Sequence, residues 1–517
     1  MSGPSETSAS GWRNPLARAA SAPPEGASAS VGGRALDARR WAMLLASAAL
    51  LVAFLGALAG WRNTAATALA VALVVAAGLG WSRLVGFPMG AVMLLVVTGV
   101  ADRLTFPLGR ISLRPEEVAV ACALGVLAWS LASPSSQKAI EPRAEELVLA
   151  GWLGLNVVSS LLLSPLFGAS AKIVLLLAIC AGGFVLPRRL LSGEADVRLA
   201  VRFLMVLLAG EAAYGVGAFL LHLAGPTVSV SVNGSTGQLM AFGTLWEPNV
   251  FGAFSSAGAI LWILLGRRLF SGWVVPGLGA GICATAVLVS FTRAAWIAVV
   301  AVLVIALVAD RLRRRGLALV PRSTALAACL FLVLGGAAWA GELHGSYHLT
   351  AAQAAGISGS GQSPAGGGGG TAVTGSASPG GVITNSVDVV GRLVQVREVL
   401  HEVKSSPLIG LGTATYGQRH QYQGSPFWLA DLELRILYDT GLLGAALFAA
   451  FVIIIVVKAW RRRRSALVVA LSAAALSLAI TDTSTETMEL MITWLVLGLS
   501  VAAIELVPAG VPASTDA

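Results

Sequence analysis

Charge is scarce in this sequence: 12% of its residues are charged, 56% are hydrophobic, and the mean hydropathy is +0.80. Soluble domains carry about twice that charged fraction, so the composition excludes an ordinary soluble fold and implies an integral membrane protein. Cysteine is scarce too. Cys122, Cys180, Cys283 and Cys329 all fall in apolar stretches without CxxC spacing, which points to neither a disulfide framework nor a zinc site. The first forty residues lack an early apolar core and are rich in Ser, Ala, Pro and Gly, so they read as a disordered cytoplasmic tail and not as a cleaved signal.

What is abundant is the apolar run long enough to cross about 30 Å of hydrocarbon. Such runs centre on 41–60, 64–81, 85–101, 118–133, 148–168, 171–187, 199–225, 250–266, 272–290, 294–309, 324–340, 436–457, 465–481 and 489–507. The expected fold is an all-α integral membrane protein of about fourteen transmembrane helices, with one large extracytoplasmic loop containing short helices.

The net charge of +9 would raise the question of nucleic acid in a soluble protein, so its placement decides its meaning. Arg188 and Arg189, Arg267 and Arg268, Arg311 to Arg315 and Lys458 to Arg464 all abut apolar runs, as the positive-inside bias expects of cytoplasmic loops. No nucleic-acid partner is expected. The scheme places both termini in the cytoplasm of a multi-pass inner-membrane protein. It divides the chain into a 1–40 tail, helices over 41–340, a periplasmic loop over 341–435, helices over 436–507 and a 508–517 tail.

Within the loop, residues 356–381 are Gly, Ser and Pro without apolar period and read as a flexible insertion. From Asp388 the pattern becomes helical, with Leu393, Val396, Leu400 and Val403 as an apolar stripe, and Pro407, Gly410 and Gly412 ending it in a turn. A second helix is expected from about Trp428 into the membrane.

Several stretches offer chemistry. In SFTRAAW, Ser290 to Trp296, Arg293 is either an arginine snorkelling to headgroups or a guanidinium fork for phosphate. In FGTLWEPNVFGAF, Phe242 to Phe254, Pro248 and Asn249 suit a helix start that offers free N–H groups to an anion, and Glu247 lies beside them. Arg392 and Arg397, on the loop helix, are five residues apart and so do not share a face; Arg392 is the one expected to share a cleft with Arg293. His420, Asp431 and Glu433 are candidate bases for activating a hydroxyl acceptor. Glu211, in the middle of a span, is a substrate-site candidate, since an ionisable group at that depth is either functional or held by a polar partner. Asp482, Glu486 and Glu489 sit at the last outer turn.

Taken in order, the segment ending in Glu247-Pro248-Asn249, the SFTRAAW segment, and GRLVQVREVLHEVKSSPLIGLGTATYG followed by LYDTGLLG resemble the O-antigen ligase and O-antigen polymerase superfamily. The resemblance covers roughly residues 240–450. It implies a polytopic glycosyltransferase of surface polysaccharide assembly whose donor is a glycan on a polyprenyl diphosphate and whose acceptor is a glycan or lipid. Arg293 and Arg392 fall on the family's two phosphate-side arginines. Members often carry a His-Asn pair where this chain has Ala430 and Asp431, so the base role moves to Asp431, or to Glu433 or His420.

By this resemblance an acceptor hydroxyl attacks the anomeric carbon and expels the lipid diphosphate, whose growing charge the arginines stabilise. No metal or other cofactor is expected. Chain-length regulators or flippases are the implied protein partners. Polymerisation of repeat units is the leading function; ligation of a finished glycan to a lipid or protein acceptor is the alternative. A transporter of polysaccharide or lipid is the rival from another class, weakened by the lack of an evident internal repeat.

Overall fold

The computed structural model describes residues 86–100, 106–108, 111–132, 141–222, 229–232, 239–245, 247–312, 327, 329–333, 335, 386–422, 425–426, 429, 431–483, 485 and 487–507. These are mostly helical. In chain order the helices are α1 (Phe87–Val100), α2 (Pro115–Ala132), α3 (Ala144–Leu163), α4 (Phe167–Leu190), α5 (Glu194–His222), α6 (Pro248–Leu269), α7 (Val274–Val289), α8 (Arg293–Leu312), α9 (Ser386–Glu402), α10 (Tyr416–Arg419), α11 (Leu432–Arg461), α12 (Ala466–Asp482) and α13 (Met491–Leu506). Three antiparallel hairpins join them: β1 (Phe106–Leu108) with β2 (Ile111–Leu113), β3 (Val230–Val232) with β4 (Leu239–Ala241), and β5 (Gln421–Tyr422) with β6 (Ser425–Pro426).

Each apolar run from 85 to 309 and from 436 to 507 forms a helix. Helices α3, α4, α5, α6 and α11 are long and apolar enough to cross a membrane; α1, α7, α12 and α13 are shorter apolar helices, as is α8 over Arg293–Ile305. The expected spans at 41–60 and 64–81, most of 324–340, both tails and the 356–381 insertion lie outside the described residues.

Local chemistry explains the helix ends. Pro248 opens α6, where its missing N–H would have had no partner and its fixed φ already suits a helix. The Ser465 hydroxyl accepts the Val468 N–H at the start of α12. Arg188 and Arg189, Arg267 and Arg268, and Lys458 and Arg461 occupy last turns, where positive charge complements the helix dipole.

The short connections run the helices up and down, so the bundle has two unlike ends. One, the basic end, collects the last turns of α4, α6 and α11. The other, the loop end, collects all three hairpins, the starts of α6, α8 and α11, and the loop helix α9. The interior is centred on α6, 83% of whose apolar window is buried, against 28% for α3 and α11. Its FGAFSSAGA sequence lets neighbours approach closely, as small residues do between membrane helices. Ser256 meets Ser477 of α12 at 2.6 Å, and the Trp262 indole N–H donates to the Met205 carbonyl at 3.0 Å.

Two expectations about the loop need correction. The face of α9 that packs inward is Gln395 and Val399, continued just past the helix by Val403 of the expected stripe, while Leu400 of that stripe is 52% exposed. In addition, α11 begins at Leu432 and not near Trp428, because Asp431 is its extended N-cap and the β5–β6 hairpin occupies the preceding chain.

Candidate functional site at the loop end

Two of the segments singled out in the sequence meet directly. Thr292, at the head of α8, donates its hydroxyl to the Pro248 carbonyl at 3.0 Å and approaches Asn249 Oδ1 at 3.3 Å. Ser290 and Thr292 are so close to α6 that a Cβ at Gly252 would lie 2.7 to 2.8 Å from their side chains. Between them Phe291 has φ of +52°, a conformation that bulky residues rarely adopt and that costs about 1–3 kcal/mol unless its surroundings enforce it. Arg293 follows as the first residue of α8, exposed at the loop end.

Glu247 is the N-cap of α6. Crowding that removes hydration raises its carboxyl above the ordinary carboxylate range, although the side chain keeps an exposed face. Glu211 is buried and holds the preceding turn: Thr244 donates both its N–H, at 2.6 Å, and its hydroxyl, at 2.8 Å, to the carboxyl. These bonds fix the turn before Glu247 and Asn249, and Thr244 is the polar partner that satisfies an ionisable group at depth.

The second part of the site is a broken helix. Gly441 interrupts α11 with φ of +65° and ψ of −163°, and the backbone groups this frees are taken up by the 407–412 loop. The Leu411 and Gly412 N–H groups donate to the Tyr438 and Asp439 carbonyls at 2.7 and 3.1 Å, and the Leu442 and Leu443 N–H groups donate to the Pro407 and Leu408 carbonyls at 2.8 and 3.1 Å. Contact is backbone on backbone. A Cβ at Gly410 would sit 2.5 Å from the Asp439 carbonyl carbon and the Thr440 nitrogen, and one at Gly441 would sit 2.5 Å from the Gly410 nitrogen, so glycine is required at both. An interrupted helix at membrane depth needs such substitute partners.

The same loop then pushes Thr413 and Thr415, both fully buried, into the bundle. The Thr413 hydroxyl donates to Asn156 Oδ1 at 2.8 Å, its N–H donates to the Ser160 hydroxyl at 3.0 Å, and Ser170 donates to its carbonyl at 2.6 Å. Ser159 donates to the Asp439 carbonyl at 2.7 Å. Ala414, at φ of +58°, donates its N–H to Asp439 Oδ1 at 3.1 Å. Phe291 and Ala414 are the two non-glycine residues with positive φ among the described residues, and each lies in one of the singled-out segments. Below, Arg435 pairs with Asp439 at 3.3 Å and with Glu489 at 2.5 Å, beside a cavity of about 10 Å³ lined by Trp152, Asn156, Arg435 and Asp439.

The third part is a carboxylate, tyrosine and histidine cluster. Glu398 and Glu402, one turn apart on α9, receive the hydroxyls of Tyr416 and Tyr438, each at 2.6 Å. His420 Nε2 lies 2.6 Å from Glu402, and the imidazole stacks on Tyr416 with centroids 4.3 Å apart. Burial, then the bond to Glu398, pushes the Tyr416 phenol up, so it remains a donor at working pH. His420 is half-buried, which makes the His420–Glu402 pair an oriented imidazole open to a ligand.

Of the other expected residues, Asp431 is half-buried at the N-cap of α11, while Glu433 and Arg397 are exposed. Residue 392 lies within α9, but its side chain is outside the described residues. Asp482 is buried and accepts the Thr487 hydroxyl at 2.6 Å, and Glu489 pairs with Arg435, so neither is a merely solvated helix end. Glu486 lies outside the described residues. The sequence reading missed Glu398, Glu402, Asn156, Ser159 and Ser160. Spacing of four between the two glutamates, and three polar residues inside one apolar run, were the available signals. No protein-family model matches the chain, and the curated proteins searched contain no match.

Proposed function

We propose that the chain is a glycosyltransferase of the cytoplasmic membrane, with fourteen spans and both termini in the cytoplasm, that polymerises polyprenyl-diphosphate-linked repeat units on the outer face. The observation that carries this reading is the junction of Asn249 with Thr292 immediately before Arg293, which joins two of the three segments behind the resemblance at the end where the third is anchored.

In this mechanism the acceptor hydroxyl attacks the anomeric carbon of the donor. The bond from that carbon to the diphosphate oxygen breaks, and the electron pair leaves with the lipid diphosphate. Arg293 at the head of α8 stabilises the charge that builds there, together with a loop arginine, Arg392 or Arg397. The acceptor proton goes to His420, whose ring Glu402 orients at 2.6 Å. This geometry favours His420 over the exposed Glu433, and Asp431 remains the second choice.

The test is Arg293→Ala in the native host, with insertion checked by blot and lipid-linked intermediates measured beside surface polysaccharide. Loss of polymer with accumulation of single lipid-linked units supports polymerisation. Accumulation of finished lipid-linked chains transfers the reading to ligation. Unchanged glycan and intermediates in a fully inserted variant reject both.

A further inference from the structure

The basic end carries a second arrangement that the transfer chemistry does not use. Glu145, Glu146 and Glu505 neutralise much of the charge there. Arg188 lies 3.0 Å from Glu145, Glu146 and Glu505, Lys458 lies 2.7 Å from Glu145, Arg143 pairs with Glu505, and Arg189 pairs with Glu146. This network ties α3, α4, α11 and α13 together.

Beside it is an open recess of about 340 Å³ lined by Arg143, Lys458, Arg461, Arg462, Ile504 and Glu505, a volume within the range of small-molecule sites. Of its four cations Arg143 is paired with Glu505 and Lys458 with Glu145, which leaves Arg461 and Arg462 with no carboxylate partner among the described residues. The Arg462 Nη1 atom is buried with no hydrogen-bond partner among the described residues. A buried guanidinium nitrogen left without an acceptor is costly, so Arg462, which lines the recess, calls for an acceptor that the described residues do not supply. Its depth is marked by Trp460, 64% exposed in the last turn of α11, with the Arg463 guanidinium 4.8 Å over its ring. An exposed tryptophan beside arginines at a helix end belongs at the level of lipid headgroups.

We propose that this recess binds the phosphate of an anionic membrane lipid, with Arg462 and Arg461 as its principal ligands. The missing acceptor is supplied by phosphate oxygens, the chemistry that a guanidinium fork matches best. Glu505 is the element of selectivity. Held by Arg188 and Arg143, it repels a second negative group at the inner wall, so a phosphodiester headgroup suits the recess better than a multiply charged one.

The test uses the full-length protein in detergent, titrated with phosphatidylglycerol, with phosphatidylcholine and with inorganic phosphate, and read by native mass spectrometry and thermal shift. Saturable, tighter binding of phosphatidylglycerol is expected. Arg462→Gln should weaken it about tenfold or more, the effect of losing charge-assisted hydrogen bonds. The exposed Arg464→Gln, outside the recess, removes the same charge and should weaken it by no more than about fivefold, the effect of one basic residue near an anionic surface. Arg461→Gln, at an exposed position lining the same recess, should behave like Arg462→Gln and serves where the latter does not fold. Equal binding of the two lipids, or equal losses from the Arg461 and Arg464 substitutions, would overturn the site. Full competition by millimolar inorganic phosphate would overturn the lipid as its occupant.

Discussion

The two ends of this bundle use polar residues in opposite ways. At the basic end a core of charges is paired: carboxylates on α3 and α13 meet cations on α4 and α11, and Arg188, 6% exposed, is at the centre. At the loop end, neutral hydroxyls, amides and backbone groups hold an inserted segment against a broken helix, with Arg435 paired to Asp439 and Glu489 beside it, and the ionisable groups near the surface range from half-buried His420 to exposed Arg293 and Glu433. The first arrangement fastens helices. The second costs regular hydrogen bonds and backbone strain, which persist in proteins where a site requires them.

Substitutions at the two ends should therefore separate stability from chemistry. Arg188→Ala leaves Glu145, Glu146 and Glu505 short of a buried cation and should destabilise the protein by about 3–5 kcal/mol, seen as a lower melting temperature in detergent. Per folded molecule, transfer activity should be retained; a selective loss of activity would erase the contrast between the ends. Gly441→Ala forces a Cβ onto the Gly410 backbone at positive φ and should cost about 2–4 kcal/mol, with proteolytic opening near residues 407–415. Cleavage elsewhere would mean that the lock is not local. Thr413→Val keeps the shape but strips a donor from Asn156, for an expected loss of about 1–3 kcal/mol; no change in melting temperature would show that water replaces the hydroxyl.

The smallest effect on stability, about 1 kcal/mol, is expected from His420→Gln, which gives up the stacking on Tyr416 and the bond to Glu402. The same change should lower transfer by about a hundredfold or more if the imidazole is the base. A variant with normal turnover would return the role to Asp431.

The helices were legible in the sequence because hydropathy over some twenty residues is a local property, and the runs at 148–168 and 250–266 became α3 and α6 with ends moved by a few positions. The contact between the Asn249 and Thr292 segments was legible only as two motifs in order; their meeting depends on α6 and α8 starting at the same end. The packed face of α9 was legible only in part: Val403 of the expected stripe is buried, but Leu400 is 52% exposed and the polar Gln395 is buried, a placement that an apolar period does not signal. Glu398 and Glu402 were silent for a different reason. Their partners, Tyr416, His420 and Tyr438, are 18 or 36 residues away and reach them only through the Gly410–Gly441 lock. Asn156, Ser159 and Ser160 have meaning only once the inserted loop supplies acceptors and donors in the bundle.

Chain growth by the purified protein in proteoliposomes supplied with polyprenyl-diphosphate-linked repeat units separates transfer from transport. Polymers longer than the supplied unit are expected, lost in Arg293→Ala and strongly slowed in His420→Gln, with the Arg188→Ala protein active in proportion to its folded fraction. Passage of the lipid-linked unit across the bilayer without any lengthening, unaffected by Arg293→Ala, would contradict transfer and identify the loop end as part of a transport path.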